Sequence, residues 1–339
     1  MRRLARIALI LLLTPPLFAA AIGWLTGPAF LHPIRRELTP DLVREADSAF
    51  ARLHAQREDL EVRAADGVLL RGWKVHAAQP NGSWVLLFHG VADNRAGVLA
   101  QAQLLLKEGY SVVMMDSRAH GQSEGPIATY GWLERSDTRA IVDALVSSER
   151  NRFTTVQTSS PNLPRTGIGT VPSPFHIFAL GESMGAGIAL QAAAAEPRIE
   201  GVVAEASFAN LTEAAYDYAG FRRYPWLGKT LLAPGAWMMV YRGQSLAGFP
   251  AAEVSPVRSV AARAFPVLLI CDTDDVALPC RHTQMIYDAA RGPRQMWVVP
   301  RAFHTAALAY QPAEFRRRVL AFYESAAPVQ LSGAPNIRK

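Results

Sequence analysis

Apolar residues along this chain gather in short runs rich in Val, Ile, Leu and Phe, at 84–88, 110–115, 175–180, 199–204, 265–271 and 295–300. Between the earlier runs lie stretches with helical character, at 96–108, 134–148 and 184–195. Runs of this length with no polar alternation predict strands buried on both faces, and interleaved helices predict a parallel sheet covered on each side. Ahead of them, 61–75 predicts a strand pair turned at Asp66-Gly67, and 39–57 a helix of mixed charge. Segment 151–174, rich in Ser, Thr, Pro and Gly, predicts an irregular surface insertion. A helix is expected over 313–325, with Arg316, Arg317 and Arg318 on a solvated face.

The N-terminus has a different pattern. Residues 7–30 form a 24-residue stretch without an ionisable side chain, preceded by Arg2, Arg3 and Arg6. As a helix rising about 1.5 Å per residue it would cover a hydrocarbon core of about 30 Å. Two expectations follow: a retained signal anchor, or a signal peptide processed near Ala19-Ala20-Ala21. The leading arginines favour a cytoplasmic N-terminus and an exported remainder, periplasmic or extracellular. The organisation expected is therefore membrane or signal segment 1–30, connector 31–58, one large domain 59–326 and a flexible tail 327–339.

Of the net charge of +6, half equals the three leading arginines, which topology explains; no nucleic-acid partner is expected. The two cysteines, Cys271 and Cys280, are read either as a buried strand residue with a free thiol or, in an oxidising compartment, as a disulfide.

The chemistry centres on Gly181-Glu182-Ser183-Met184-Gly185, directly after the run 175–180 and before the helix at 184–195. Strand, sharp turn and helix with serine at the apex make a nucleophile elbow, in which Gly181 and Gly185 leave room for crowded backbone. Serine needs a base to take its proton and a carboxylate to orient that base, in the chain order Ser, acid, His. Asp272, Asp274 and Asp275 follow the strand at 265–271, and His304 follows the strand at 295–300. His282, the other histidine after Ser183, falls within an expected helix beside the acid loop. An oxyanion hole requires two backbone N–H donors: Met184 after the nucleophile, and Val91 in His89-Gly90-Val91, which follows the strand at 84–88. His89 precedes the serine and is expected to brace its loop.

These motifs resemble the α/β-hydrolase superfamily, in particular its serine-aminopeptidase and acylglycerol-lipase branch, including Bem46-like hydrolases with an N-terminal membrane segment. The resemblance covers roughly 60–325 and rests also on the hairpin at 66–73 and on 116–123, similar to the D-x-R-G-x-G-x-S loop. Ala119 departs from that pattern where the family usually has glycine. The resemblance implies an α/β-hydrolase fold and favours Asp275 as the acid, since 275–279 matches a D-x-x-[VIL]-P spacing, with Asp274 in reserve. It implies no metal and no organic cofactor.

Segment 208–256 breaks the strand–helix alternation. Tyr216, Tyr218, Phe221, Tyr224, Trp226, Trp237 and Tyr241 crowd it where a cap would cover the serine, so an aromatic lid over an apolar pocket is expected. The expected function is a membrane-associated serine esterase acting on a small-molecule or lipid-like ester. One alternative is a serine aminopeptidase with Glu205 or Glu213 receiving the substrate amine; another is a membrane-tethered interaction protein without turnover. The sequence does not specify an oligomeric state.

Overall fold

The computed structural model describes residues 2–159, 175–222 and 224–327, with the side chains of residues 5, 7–12, 153–159 and 225 excepted. Eight strands form one sheet: β1 (Gln56–Arg63), β2 (Leu69–His76), β3 (Ser83–Phe88), β4 (Ser111–Met115), β5 (His176–Glu182), β6 (Ile199–Glu205), β7 (Val267–Asp272) and β8 (Arg294–Val299). Their order is β1-β2-β4-β3-β5-β6-β7-β8. Pairing is parallel from β4 through β8, whereas β1–β2 and β2–β4 are antiparallel. The β1–β2 hairpin turns at Gly67, whose φ of +88° needs no Cβ penalty there, while Asp66 accepts from the Val68 N–H.

The helices run α1 (Arg2–Thr26), α2 (Pro40–Arg52), α3 (Leu99–Lys107), α4 (Glu134–Ser159), α5 (Met184–Ala195), α6 (Leu211–Ala219), α7 (Pro225–Gly228), α8 (Ala233–Ala247), α9 (Pro256–Ala262), α10 (Arg281–Ala289), α11 (Ala307–Tyr310) and α12 (Pro312–Ala326). Several starts are set by side chains that satisfy free N–H groups: Thr39 before Pro40, Asn210 before α6 and Ser255 before Pro256.

Each face of the sheet carries its own core. On one side Leu86, Ala179 and Leu269 pack against α4, α5 and α9; on the other Phe178, Leu180 and Ile270 pack against α3 and α12. Tyr323 of α12 stacks on Phe178 at 4.6 Å between centroids and donates its hydroxyl to Ala179 O. Helix α5 is buried all round from Met184 to Ala193, which its Ala and Gly content permits by letting backbone approach the sheet.

Several expected boundaries shift. The helix expected over 96–108 begins as a 3₁₀ turn at Arg95–Val98 and becomes α-helical only from Leu99, because Asn94 caps the turn by accepting from the Ala96 N–H. Helix α4 runs past 148 to Ser159, into the segment expected to be irregular; residues 160–174 and the tail 328–339 lie outside the described residues. Strand β1 opens at Gln56, inside the expected connector, because 56–63 pairs residue for residue with β2. The 208–256 segment is largely helical, holding α6, α7 and α8, and α6 and α8 gather around Phe208, Leu211 and Val240.

Among the described residues no helix is long and apolar enough to cross a membrane. Helix α1 instead lies against α8. A Cβ on Gly23 would stand 2.0 Å from Gly235 O, and one on Gly235 would stand 2.6 Å from Ala19 O, so only glycine allows this backbone contact.

Candidate active site

Strand β5 ends at Glu182, and Ser183 turns the chain into α5 with φ +54° and ψ −116°. Such a backbone is strained for a residue with a Cβ, and it persists only where its surroundings fix it. Here the Ser183 N–H donates to Glu205 O at 2.9 Å, and the Gly187 N–H donates to Ser183 O. A Cβ on Gly185 would lie 2.3 Å from Phe88 O, and one on Gly181 2.3 Å from Gly185 O, so both flanking glycines are sterically required.

Strand β7 carries the acid loop to the same end of the sheet, and β8 carries His304. Ser183 Oγ donates to His304 Nε2 at 2.8 Å, and His304 Nδ1 donates to Asp275 Oδ2 at 2.6 Å. The other oxygen of Asp275 accepts from the Ala277 and Leu278 N–H groups at 2.7 and 2.9 Å, which holds the carboxylate in place. Asp274 does not reach the imidazole; its side chain accepts from the neighbouring Thr273 hydroxyl. The two loops clasp each other through Arg301 N–H to Thr273 Oγ1 and Asp274 N–H to Ala302 O.

The loop after β3 completes the surroundings of Ser183. A Cβ built on Gly90 would stand 3.7 Å from the Ser183 Cβ, so this loop passes directly over the serine. Val91 and Met184 line the same cavity as Ser183, and neither N–H takes part in a described backbone hydrogen bond. Two unengaged N–H donors beside the Ser183 hydroxyl form the geometry that an oxyanion would need. Buried His89 donates from Nδ1 to Gly90 O and accepts the Ser117 N–H at Nε2, an arrangement that fixes a neutral ring and braces the loop. Burial lowers its pKa, consistent with that neutral state.

The loop at 116–123 is a scaffold. Asp116 accepts from the Arg95 and Gln122 N–H groups, and Arg118 grips Asp137 at 2.7 and 2.6 Å. Ala119, where the resembled family usually has glycine, takes φ +60° and so keeps the glycine conformation with an alanine. His282 is fully buried on α10, with Nε2 bonded to Asp217 Oδ2 at 2.6 Å.

The sequence reading did not anticipate the acid cluster behind the elbow. Glu182, Glu205 and Asp272 end β5, β6 and β7 side by side, and Glu205 Oε1 accepts from Ala307 N–H, just beyond His304. Burial, then repulsion from Asp93 and Asp272, pushes the Glu182 carboxyl up to about 8. Burial first, then the charge of Asp275, pushes Asp272 up to about 6, and burial also raises Glu205. A carboxyl raised from 4.5 to about 8 binds a proton in the native state that the unfolded chain has released. Its stabilising contribution is thus complete below pH 4.5 and disappears as pH rises through 8. Glu182→Gln should flatten the fall in stability between pH 5 and pH 9, read from urea midpoints at each pH; an unchanged slope would assign it elsewhere.

Cys271 and Cys280 are disulfide-bonded, with Cα atoms 5.3 Å apart, which corrects the free-thiol expectation. The bond closes the acid loop at both ends, a proximity that depends on how the loop folds back and that spacing alone does not reveal. Closing a loop with a sequence separation of 9 restricts the unfolded chain by about 2–3 kcal/mol. Reduction should therefore lower the melting temperature by about 5 °C, and a Cys271→Ser, Cys280→Ser double variant should melt at the same temperature with and without reductant.

A cavity of about 360 Å³ opens on Ser183 beneath α6 and α8. Phe30, Ile34, Phe208, Tyr218 and Met239 contribute apolar wall, and Arg222 is the only charged side chain among the described lining residues. Glu205 and Glu213 are not in that wall: Glu205 is buried under the His304 loop, and Glu213 is held by Lys229 and Arg281 at 2.7 and 2.6 Å. Neither faces a substrate amine. The contribution of Phe30 and Ile34, from the N-terminal segment, was not legible beforehand, since nothing in their local pattern marks a contact with residues two hundred positions away. Among the described residues no group of His, Cys, Asp or Glu is placed to hold a metal ion.

A strand–serine–helix elbow on a mostly parallel sheet of this order, with helices on both faces, is the α/β-hydrolase fold. Residues 79–238 match the family model described as serine aminopeptidase, S33. The chain is similar to the uncharacterized protein YqkD of Bacillus subtilis, at 27% identity over 88% of this chain and 92% of YqkD. It is similar also to the uncharacterized protein Rv2307c of Mycobacterium tuberculosis, at 28% identity over 73% of this chain and 72% of that protein. Among solved structures, the Pyrococcus furiosus esterase Pf2001 superposes with a TM-score of 0.62 at 22% identity, covering 87% of this chain and 99% of the esterase.

Proposed function

We propose that this protein is a serine esterase cleaving carboxylic esters of an apolar acyl group. The observation that carries the reading is the row Ser183–His304–Asp275 opening into a cavity whose described lining holds no acidic side chain. In the first step Ser183 Oγ attacks the ester carbonyl while His304 Nε2 takes its proton and Asp275 steadies the imidazolium. The Val91 and Met184 N–H groups hold the tetrahedral oxyanion. His304 returns the proton to the leaving alcohol as the C–O bond breaks. Water, deprotonated by the same imidazole, then releases the acid and restores Ser183.

An aminopeptidase reading would need a carboxylate near Ser183 to receive a substrate ammonium. Among the described lining residues the only charge is the cation Arg222, which repels one. Membrane association is part of the proposal: three arginines precede an uncharged stretch, and α1 and the lid together expose Leu17, Phe18, Trp24, Leu25, Trp226 and Trp237. An exported location fits the Cys271–Cys280 disulfide, a bond that persists in oxidising compartments.

Rates on p-nitrophenyl esters and on aminoacyl p-nitroanilides test the choice of bond. Esters should exceed anilides by at least about a hundredfold in kcat/KM, the discrimination expected when a charged group finds no partner in the site. Preference for anilides would replace this reading with the aminopeptidase, and absence of turnover on both would favour an interaction protein.

A further inference from the structure

A second cavity, of about 290 Å³, lies between α1, α6 and α8. It shares Tyr218 and Met239 with the cavity over Ser183, so these two side chains stand between the chambers. Its wall is Ala19, Ile22, Gly23, Ala219, Leu232 and Ala236 among others, and none of the described lining residues is charged. Ile22 and Phe221, 45% and 72% exposed, mark where it opens to the outside.

That opening has a definite setting. Helix α1 forms one side of it, held on α8 by the Gly23–Gly235 backbone contact and by Arg242, whose guanidinium sits 4.3 Å from the Trp24 ring centroid. The chain then continues from α1 into the wall of the Ser183 cavity, where Tyr130 donates its hydroxyl to Phe30 O at 2.7 Å. The N-terminal segment thus borders both chambers, and exposed Phe18 and Leu25, four residues before and three after Ile22, share its helix face.

We propose that the outer chamber is the distal subsite for a long hydrocarbon acyl chain, which passes Met239 and Tyr218 to reach it and enters along the exposed flank of α1. The proposal rests on the esterase reading above and specifies its substrate class: esters of long-chain fatty acids presented from a lipid layer. A short acyl chain fills the inner cavity alone. A longer one gains further apolar burial in the outer chamber, up to about fourfold in kcat/KM for each methylene buried there. A described lining that is mostly apolar and carries no charge suits such a chain.

Two substitutions test the passage in the full-length protein in detergent micelles. Ala219→Phe places a ring in the outer chamber, and Met239→Ala widens the connection. The measured quantity is the ratio of kcat/KM for p-nitrophenyl laurate to that for p-nitrophenyl butyrate. Ala219→Phe should lower this ratio by about tenfold or more, and Met239→Ala should raise it severalfold. Both variants keeping the wild-type ratio within twofold, while melting cooperatively and reacting with a fluorophosphonate, would overturn the subsite. Should Ala219→Phe fail to fold, Met239→Ala decides alone. Absence of ester turnover by the wild type at every chain length would instead strike the esterase reading itself.

Discussion

Replacing Ser183 with alanine should reduce kcat on p-nitrophenyl esters by about 10⁶-fold while leaving thermal stability close to wild type. The substitution removes one oxygen that donates to His304 Nε2 and is otherwise uncommitted. It keeps the Cβ, so the φ of +54° that the elbow imposes costs the variant no more than the parent. His304 remains held by Asp275, and the Val91 and Met184 donors stay in place, so any remaining rate above that in water measures the oxyanion hole and substrate positioning alone. A loss below about tenfold would mean that another group attacks the ester.

The second large effect belongs to Asp275. Asp275→Asn should lower kcat by about 10⁴-fold, and Asp274→Asn should change it by less than about twofold. The asymmetry follows from the hydrogen bonds. Asp275 Oδ1 accepts from the Ala277 and Leu278 N–H groups, so an asparagine keeps its carbonyl oxygen there and turns its NH₂ toward His304 Nδ1. A donor facing Nδ1 forces the ring proton onto Nε2, the nitrogen that must accept from Ser183. Geometry survives while the tautomer is wrong. The Asp274 side chain accepts from Thr273 and makes no described hydrogen bond to His304, so its replacement leaves the imidazole untouched. Equal losses from both variants would show that the loop acts as a structural unit and that no single carboxylate orients His304.

What could be read from the chain divides along physical lines. The parallel strands were legible because burial on both faces leaves no polar alternation in runs such as 84–88 or 265–271. The elbow was legible because its glycines answer a local steric demand, which the contacts at Gly185 display. The strand-end positions of Asp275 and His304 followed from topology, since parallel strands deliver their C-terminal loops to one edge. The α1–α8 contact was not legible: Gly23 and Gly235 are each unremarkable in their own segments and gain meaning only when their backbones touch. The buried carboxyls of Glu182, Glu205 and Asp272 were equally hidden, because an acid at a strand end reads as solvent-exposed until Gln101 of α3 and the chain at 305–307 close over the sheet edge. The lid itself was placed by its aromatic density, yet its helical form was obscured because Pro225, Pro234 and Gly235 punctuate it at helix starts as much as at turns.

The most direct measurement is the site of covalent capture. The full-length protein should be labelled with a fluorophosphonate, digested, and mapped by mass spectrometry, in parallel with Ser183→Ala. One phosphonyl adduct on the Ser183 hydroxyl, absent from the alanine variant and blocked by prior incubation with a p-nitrophenyl ester, is the expected result. An adduct on another residue, or labelling that persists in the Ser183→Ala protein, would contradict the role assigned to Ser183.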